Sequence, residues 1–333
     1  MTETNIGALT ARLALLTVVL AACRQGPAHQ DPLASTPEAG PLAGVTLRVG
    51  DQSGLTRSIL ESAGQLETPY RIEWSTFTAG PPMMEAISAG AVDVGACGDT
   101  PPLFALAVGA AIRIVGALRA NPEFEVIVAP SGSKLVRVAD LRGKKVAVAK
   151  GSAAHHLLLA ALKRDAMTMA DIQPVYLYPN DAQPAFTHGD VDAWAIWDPF
   201  ATNNLRNGAV KLTDGRGLSH GLAFEVAGTA ALADTEKAKA LADYLARLVR
   251  AQEWGNTHPD LWAAKYSAIT KLPLDLTLVV LGHFQPQFVP IDDAVVAEEQ
   301  EVEDTFFAGG VLTKRLDVAP LFDARFNEGV AKR

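Results

Sequence analysis

The stretch FTAGPPMMEAISAGAVDVGACGDTPPLFALAVGA, residues 77–110, decides the fold class. One pattern occurs in it twice: small turn residues, a Pro-Pro pair, a short apolar segment and a closing glycine. Proline is favoured at the first positions of a helix, where the backbone N–H has no intrahelical partner, and glycine is favoured just past the end. We therefore predict two helices that begin at Pro81-Pro82 and Pro101-Pro102, with a short strand between them. This alternation predicts an α/β fold with a parallel sheet.

The turns that precede these two helices are a candidate ligand site. In parallel α/β sheets, ligands bind outside the carboxyl ends of the strands, against helix N-termini. The N–H groups and the dipole of a helix N-terminus attract anions. Two such N-termini within residues 77–110 predict an anion pocket, although ordinary βα turns would produce the same pattern.

Length, composition and charge are those of an ordinary globular protein. The chain has 333 residues, of which 49% are hydrophobic and 20% are charged, and this length suggests two lobes or domains. The formal net charge of −8 argues against a nucleic-acid-binding protein, since those usually carry a basic face. No interior apolar run is long enough to span a membrane.

The N-terminus has the features of a lipoprotein signal peptide. Residues 13–22, LALLTVVLAA, form an apolar block that is too short for a spanning helix and fits the h-region of a signal peptide. The block ends in Leu20-Ala21-Ala22-Cys23, which resembles the bacterial lipobox. We therefore predict a signal peptide at residues 1–22 and lipidation of Cys23. A core helix with a chance cysteine is the alternative.

The residues that follow predict a tether. Residues 24–40 are rich in Pro, Ala, Gly and polar side chains, so we expect residues 23–43 to be the lipidated cysteine and a flexible tether. Such an anchor would hold an exported protein at the outer face of the membrane. Lipidation would leave Cys97 without a disulfide partner, and we expect it to be a small core residue.

Periodicity predicts the remaining elements, and Ser152 stands at the N-cap position of the predicted helix 153–164. A second α/β unit follows from residue 138, and we expect the last third of the chain, from residue 221, to be helical without strands. The predicted strands are 45–49, 70–74, 112–118, 124–129, 146–149, 175–178 and 191–197, and the further predicted helices are 55–65, 153–164, 182–188, 234–256, 259–267 and 293–307.

Motifs of several enzyme and metal-binding classes are absent from the sequence. It contains no G-x-x-x-x-G-K-[ST] phosphate loop, no H-E-x-x-H or Cys-x-x-Cys metal motif and no G-x-S-x-G nucleophile motif. The adjacent His155 and His156 diverge on a helix and cannot chelate one metal as an i, i+4 pair would. We expect no catalytic residue, no metal and no cofactor.

Six phrases between residues 79 and 199 resemble the periplasmic aliphatic sulfonate-binding proteins of ABC importers, a family close to the taurine- and nitrate-binding proteins. The resemblance covers most of the chain after the tether and is looser in the helical C-terminal part. The phrases are AGPP at 79–82, GDTPPLFA at 98–105, VADLRGKKVA at 138–147, KGS at 150–152 with His155, DIQPV at 171–175 and GDVDAWAIWDP at 189–199.

This resemblance implies a type II periplasmic-binding-protein fold, in which two α/β lobes enclose a ligand cleft and a helical C-terminal segment completes the first lobe. We place lobe 1 at residues 44–129 plus 225–333 and lobe 2 at residues 130–224. The resemblance also implies that the turn 51–53 lines the cleft. The implied partners are a small organosulfonate and an ABC permease with its cytoplasmic ATPase.

The candidate ligand-binding residues lie at turns that follow strands. A sulfonate is a monoanion with three acceptor oxygens, which N–H and O–H groups at helix N-termini match without a cationic side chain. Lys150 is the exceptional cation nearby, and Asp99 would repel an anion unless it points away to cap the backbone. Trp194 and Trp197 could pack on an alkyl chain. The candidates are Gln52, Ser53, Gly80, Pro81, Asp99, Thr100, Gly151, Ser152, His155, Trp197 and Asp198.

We expect from this resemblance an extracytoplasmic binding lipoprotein that captures aliphatic sulfonates and delivers them to a permease for sulfur acquisition. The same fold could instead bind taurine, nitrate, a thiamin-precursor pyrimidine or an aromatic acid. Pyrimidine synthases share the fold, and the resemblance implies that they carry a cysteine-rich motif. This chain keeps only Cys97 after processing. We therefore expect a binding protein rather than an enzyme.

The predicted anchor can be tested with Cys23→Ser. This substitution removes the thiol that would be lipidated, so we expect the protein to leave the membrane fraction or to remain unprocessed. Cell fractionation and mass spectrometry of the mature N-terminus measure both results. A wild-type protein that is found in the soluble fraction with a different N-terminus would contradict the prediction.

Overall fold

The computed structural model describes residues 42–331, so the predicted signal peptide, Cys23 and most of the tether lie outside the described residues. Within this range the chain forms the strands β1 (Thr46–Gln52), β2 (Arg71–Phe77), β3 (Val94–Gly98), β4 (Ile112–Arg119), β5 (Glu125–Ala129), β6 (Lys145–Val148), β7 (Gln173–Tyr176), β8 (Ala193–Trp197), β9 (Val210–Asp214), β10 (Leu222–Gly228) and β11 (Gln287–Val289).

Helices connect these strands and make up most of the C-terminal part. They are α1 (Leu55–Ser62), α2 (Gly80–Ser88), α3 (Thr100–Ala107), α4 (Ala153–Arg164), α5 (Pro179–His188), α6 (Phe200–Arg206), α7 (Thr229–Ala233), α8 (Thr235–Thr257), α9 (Pro259–Thr270), α10 (Leu274–Phe284), α11 (Asp293–Ala308) and α12 (Glu328–Ala331).

The strands form two sheets. The first sheet has six strands in the order β11-β4-β10-β3-β1-β2, and the second has five in the order β7-β6-β8-β5-β9. In the first sheet β1 pairs in parallel with β2 and β3, whereas β10 runs antiparallel to β3 and β4. In the second sheet β6 pairs in parallel with β7 and β8, whereas β5 is antiparallel to its neighbours. The α/β fold class is confirmed, with mixed rather than purely parallel sheets.

The pattern in residues 77–110 folds as predicted. Each Pro-Pro pair lies in the first turn of its helix, α2 or α3, and β3 runs between the two helices. Gly90 and Gly109 follow the helices with φ of +70° and +74°, in the left-handed region that glycine adopts at little steric cost. The turns that precede α2 and α3 follow β2 and β3, so both helix N-termini lie at the carboxyl end of the first sheet.

The expectation that the last third of the chain lacks strands is wrong. β10 lies in the interior of the first sheet and β11 at its edge. Residues 222–228, LAFEVAG, are buried at nearly every position, so they show no alternation that would mark a strand. β9 and α10 also have no predicted counterpart.

The chain passes between the two sheets at residues 120–124 and 215–221 rather than at the predicted boundaries near 129 and 224. β5 belongs to the second sheet, where Glu125 lies opposite Trp197, and β10 belongs wholly to the first sheet. The two crossing segments touch: the N–H of Ala120 donates to the carbonyl of Gly221 at 2.8 Å. A Cβ on Gly221 would lie 2.2 Å from the Ala120 oxygen, so only glycine permits this approach.

The C-terminal helices complete the core of the first sheet. Tyr244 of α8 and Trp262 of α9 are buried in one cluster with Leu47 and Val49 of β1. A separate cluster lies against the second sheet and includes Leu158 of α4. The C-terminal helices α8 and α9 thus pack against the first sheet, and the carboxyl ends of its strands remain free to form a site.

Candidate functional site

A cavity of about 150 Å³ lies where the carboxyl ends of strands from both sheets face each other. Gln52 and Ser53 line it from the end of β1, Gly98 from the end of β3, and Trp197 and Asp198 from the end of β8. Both crossing segments contribute to the lining as well. This is the place where α/β sheets bind ligands.

Helix N-termini from both sheets converge on this cavity through close backbone approaches. A Cβ on Gly80, the first residue of α2, would lie 2.5 Å from the Pro101 side chain in α3. A Cβ on Gly98 would lie 2.8 Å from the Cβ of Ala153, the first residue of α4. Because neither position accommodates a side chain, glycine allows the starts of α2, α3 and α4 to meet. The first-turn N–H groups of a helix lack intrahelical partners, so they are available to an anion.

The structure brings about half of the predicted ligand-binding residues to the cavity. Those that line it are Gln52, Ser53, Gly80, Ser152, Trp197 and Asp198, while Pro81, Asp99, Thr100, Gly151 and His155 do not line it.

The side chains at the β1 and α4 turns are held by local hydrogen bonds. Gln52 Nε2 donates to the Ala96 carbonyl at 2.7 Å. Ser152 Oγ donates to the Ala149 carbonyl at 2.7 Å and accepts the N–H of His155 at 3.3 Å, so this side chain is the N-cap of α4. Since the hydroxyl proton of Ser152 and the N–H groups of Gly151, Ser152 and His155 already have acceptors, the donors that α4 can offer a ligand are the first-turn N–H groups of Ala153 and Ala154.

Asp99 is buried with its carboxylate occupied by protein groups. Thr100 Oγ1 donates to Asp99 Oδ1 at 2.8 Å, and His156 Nδ1 lies 3.4 Å from Asp99 Oδ2. Asp99 therefore does not cap α3 with its side chain, and its charge is directed to Thr100 and His156 rather than into the cavity lining. Its charge still acts on the cavity lining, where it contributes to the raised pKa of Glu125.

His155 is buried and uncharged near the start of α4. Its Nδ1 accepts the N–H of Gly151 at 3.3 Å, and its ring packs against Tyr176 and Phe306. Burial, with smaller contributions from the charges of Lys150 and His156, lowers the pKa of His155 to about 4. A neutral imidazole that packs among aromatic rings supports the turn at Gly151 rather than supplying positive charge.

Asp198 is held at the opposite side of the cavity. Its Oδ1 accepts the N–H of Thr202 at 2.7 Å, and its Oδ2 lies 3.5 Å from His283 Nδ1 of α10. This hydrogen-bonding partner raises the pKa of His283. Asp198 thus joins the end of β8 to a helix that packs behind the first sheet.

The cavity lining contains two carboxyl side chains, Glu125 and Asp198, and no Lys, Arg or His among the described residues. Lys150 does not line it; its ammonium group lies 5.7 Å from the centre of the Tyr176 ring. Part of the wall is apolar, and these side chains come from Leu118, Phe124, Trp197, Leu222 and Phe284. The described lining therefore offers an anion N–H groups and neutral side chains.

Burial disfavours the ionisation of two carboxyl groups near the cavity. Burial raises the pKa of Asp51 to about 7, although the N–H groups of Thr56 and Arg57 partly offset this effect. Burial and then the charge of Asp51 raise the pKa of Glu225 to about 8. Protonation of these groups limits the negative potential at a site that offers no compensating cation.

Sequence reasoning missed the contribution of the crossing segments. Asn121, Pro122 and Phe124 line the cavity from the first crossing, Glu125 lines it directly after that crossing, and Ser219 and Gly221 line it from the second. The crossings were predicted near residues 129 and 224, so these segments were not expected at the cavity. Their turn residues were the only sequence signal that could have identified them as part of the site. In residues 42–331 there is no cluster of three or more His, Cys, Asp or Glu side chains suited to a metal ion. No helix in the same range has the length and hydropathy to cross a membrane.

Comparison with known proteins gives a consistent family. The profile of the NMT1/THI5-like family matches residues 80–256. An aliphatic sulfonates-binding protein of Escherichia coli (strain K12) is 38% identical over 291 residues, which cover 85% of this chain and 88% of that protein. The alkanesulfonate-binding protein SsuA from Xanthomonas axonopodis pv. citri, solved bound to MOPS, superposes with a TM-score of 0.77 at 35% identity and covers 84% of this chain and 98% of its own.

The fold is also shared with an enzyme. The desulfurization enzyme DSZB superposes with a TM-score of 0.60 at 15% identity over 85% of this chain and 98% of its own. At this identity the likeness shows the fold alone.

The close approach at Gly98 can be tested with Gly98→Ala. Because the new methyl would lie 2.8 Å from the Cβ of Ala153, it should separate the starts of α3 and α4 and cost about 1–3 kcal/mol of unfolding free energy. We expect a lower melting temperature and a larger radius of gyration in small-angle scattering. Gly282→Ala is the control, since a Cβ at this position in the interior of α10 would meet no neighbouring atom within 4 Å. Equal melting curves and radii for the two variants would contradict the packing argument.

Proposed function

We propose that this chain is the extracytoplasmic binding component of an ABC importer for aliphatic sulfonates. The chain belongs to the NMT1/THI5-like family and to its aliphatic sulfonate-binding proteins. The observation that carries the proposal is the cavity at converging helix N-termini, which has no cationic side chain among the described residues and a partly apolar wall.

The polar side of the cavity suits the sulfonate group. A sulfonate has three acceptor oxygens and one negative charge spread over them. The first turns of α2, α3 and α4 all contribute to the cavity lining, through Gly80, Pro101 and Ala153. Hydrogen bonds to a charged group each contribute about 1.5–3 kcal/mol, so a few such donors suffice for tight binding. Pro81, Pro82, Pro101 and Pro102 have no N–H, so the N–H groups that these helix starts can offer at the cavity are those of Gly80 in α2 and Ala153 in α4.

The apolar side of the cavity suits an alkyl chain. Leu118, Phe124, Trp197 and Phe284 offer apolar surface beyond the strand ends. This surface favours a ligand with a hydrocarbon tail over nitrate, which has none. Burial of a tail contributes about 0.8 kcal/mol for each CH₂ group.

A cysteine-based enzyme activity is not supported by the site. Cys97 lines the cavity, but its side chain is almost fully buried. Burial and the nearby carboxyls of Glu225 and Glu299 raise the pKa of the Cys97 thiol well above its usual value. The thiolate is the nucleophilic form, so this cysteine is a poor nucleophile.

Delivery of the ligand completes the proposal. The two crossing segments form a hinge about which the sheets close on the ligand, and the closed form is handed to a permease with its cytoplasmic ATPase. Lipidation of Cys23 and a flexible tether at residues 23–43 would keep the exported protein at the outer face of the membrane. These parts are supported by the sequence motifs and by the importer function of the matched family.

The ligand class can be tested by calorimetric titration with linear alkanesulfonates of increasing chain length, with taurine, nitrate and sulfate for comparison. We expect affinity to rise about threefold to fourfold for each CH₂ until the apolar wall is covered. Trp197→Ala should remove much of this increase and leave methanesulfonate binding nearly unchanged. Trp254→Ala is the matched control, because this ring stacks on His258 and does not line the cavity.

Melting curves of both variants separate loss of binding from loss of fold. Binding of nitrate or sulfate without binding of any alkanesulfonate would refute the proposed function. Equal losses for short and long sulfonates in Trp197→Ala would refute the placement of the tail.

A further inference from the structure

Glu125 is the cavity group that the proposed function leaves unexplained. It is the first residue of β5, directly after the first crossing segment, and it lies opposite Trp197 in the sheet. The residue lines the cavity, and its Oε2 is buried with no hydrogen-bond partner among the described residues. A buried carboxyl oxygen that lacks a protein partner is costly unless a ligand or a proton satisfies it.

The charges around Glu125 oppose its ionisation. Burial, and then the charge of Asp99, raise the pKa of the Glu125 carboxyl well above its usual value. The other charged groups on the elements around it are already paired with one another. They are Asp198 with His283, Asp214 with Lys211 and Arg216, and Glu123 with Arg216.

The protonated form of Glu125 has the chemistry that the ligand requires. A sulfonate only accepts hydrogen bonds, so an ionised carboxylate beside it would repel it and leave oxygens on both groups without donors. A neutral carboxylic acid instead has one O–H donor. The lining formed by the described residues has no cation, so a donor without charge is consistent with the rest of the site.

We infer that Glu125 binds the ligand as a neutral carboxylic acid whose O–H donates a hydrogen bond to the sulfonate, so that binding takes up a proton when the free protein has lost it. This inference rests on the proposed function. Glu125 is then a ligand-binding residue that makes capture depend on pH.

The direction of the pH dependence follows from the charges. The bound anion adds negative charge near Glu125, so the pKa of this carboxyl is higher in the complex than in the free protein. Affinity is constant while Glu125 is protonated in both states. As pH rises above the pKa of the free protein, binding must take up a proton, and affinity falls by about tenfold per pH unit.

The test is calorimetric titration of the wild type, Glu125→Gln and Glu125→Ala with one linear alkanesulfonate between about pH 5 and about pH 10. For the wild type we expect constant affinity at acid pH and a fall at alkaline pH. Glu125→Gln keeps an N–H donor and cannot titrate, so it should stay within about threefold of the acid-pH affinity of the wild type at every pH. Glu125→Ala should bind at least about tenfold more weakly than the wild type at acid pH.

Two further measurements make the result specific to Glu125. Titration at alkaline pH in two buffers of different ionisation enthalpy should show proton uptake by the wild type and none by Glu125→Gln. Glu123→Gln is the matched control, because this carboxylate pairs with Arg216 and does not line the cavity. It should keep the pH profile of the wild type, and melting curves should show that all variants fold.

Two outcomes would overturn the inference and leave the proposed function standing. One is an identical pH profile for the wild type and Glu125→Gln. The other is a loss of at least about tenfold in the affinity of Glu125→Gln for an aminoalkanesulfonate at neutral pH, with unchanged affinity for the alkanesulfonate, because Glu125 would then act as an anion toward an ammonium group. Absence of sulfonate binding by the wild type at every pH would instead refute the proposed function and this inference with it.

Discussion

The site depends on two glycines, Gly80 and Gly98, whose lack of a side chain lets three helix N-termini approach one another. Gly80 lets the start of α2 touch α3, and Gly98 lets the start of α4, which packs on the other sheet, touch the end of β3. These contacts fix a set of N–H donors from two sheets around one small cavity. They also explain why the site needs no cationic side chain: an anion there is matched by partial charges that are held in place before it binds.

The same constraint affects the acidic groups around the cavity. Because the described lining has no Lys, Arg or His, negative charges near it are offset by groups outside the lining or are disfavoured by burial. Asp99 is held by Thr100 and His156, and Asp198 by Thr202 and His283. Burial disfavours ionisation of Asp51, Glu125 and Glu225, whose pKa values are all raised. Each of these acidic groups thus either contacts a donor group of the protein or has a raised pKa.

Helices and strands bounded by proline, glycine or an N-cap residue could be predicted from the sequence, and elements without such boundary residues could not. The Pro-Pro pairs and closing glycines placed α2, β3 and α3, and the N-cap at Ser152 placed α4. β10 was missed because a strand buried on both faces has no alternation, and this error misplaced the second crossing segment. The first crossing was misplaced because β5 was assigned to the first lobe, although it pairs within the second sheet. Glu125, which lies beside a crossing, was therefore not a candidate. Ser152 was predicted correctly as an N-cap, but the acceptor of its hydroxyl proton depends on tertiary structure.

The central claim is that an anion binds here to helix N-termini without a cationic side chain, and the salt dependence of affinity tests it most directly. Titration of the wild type with one linear alkanesulfonate between about 50 mM and about 500 mM sodium chloride measures this dependence at constant pH. The account predicts a change of less than about twofold, because a cavity enclosed between the two sheets is poorly screened. A weakening of about tenfold or more would show that an exposed cation such as Lys150 supplies the binding energy, and would contradict the account.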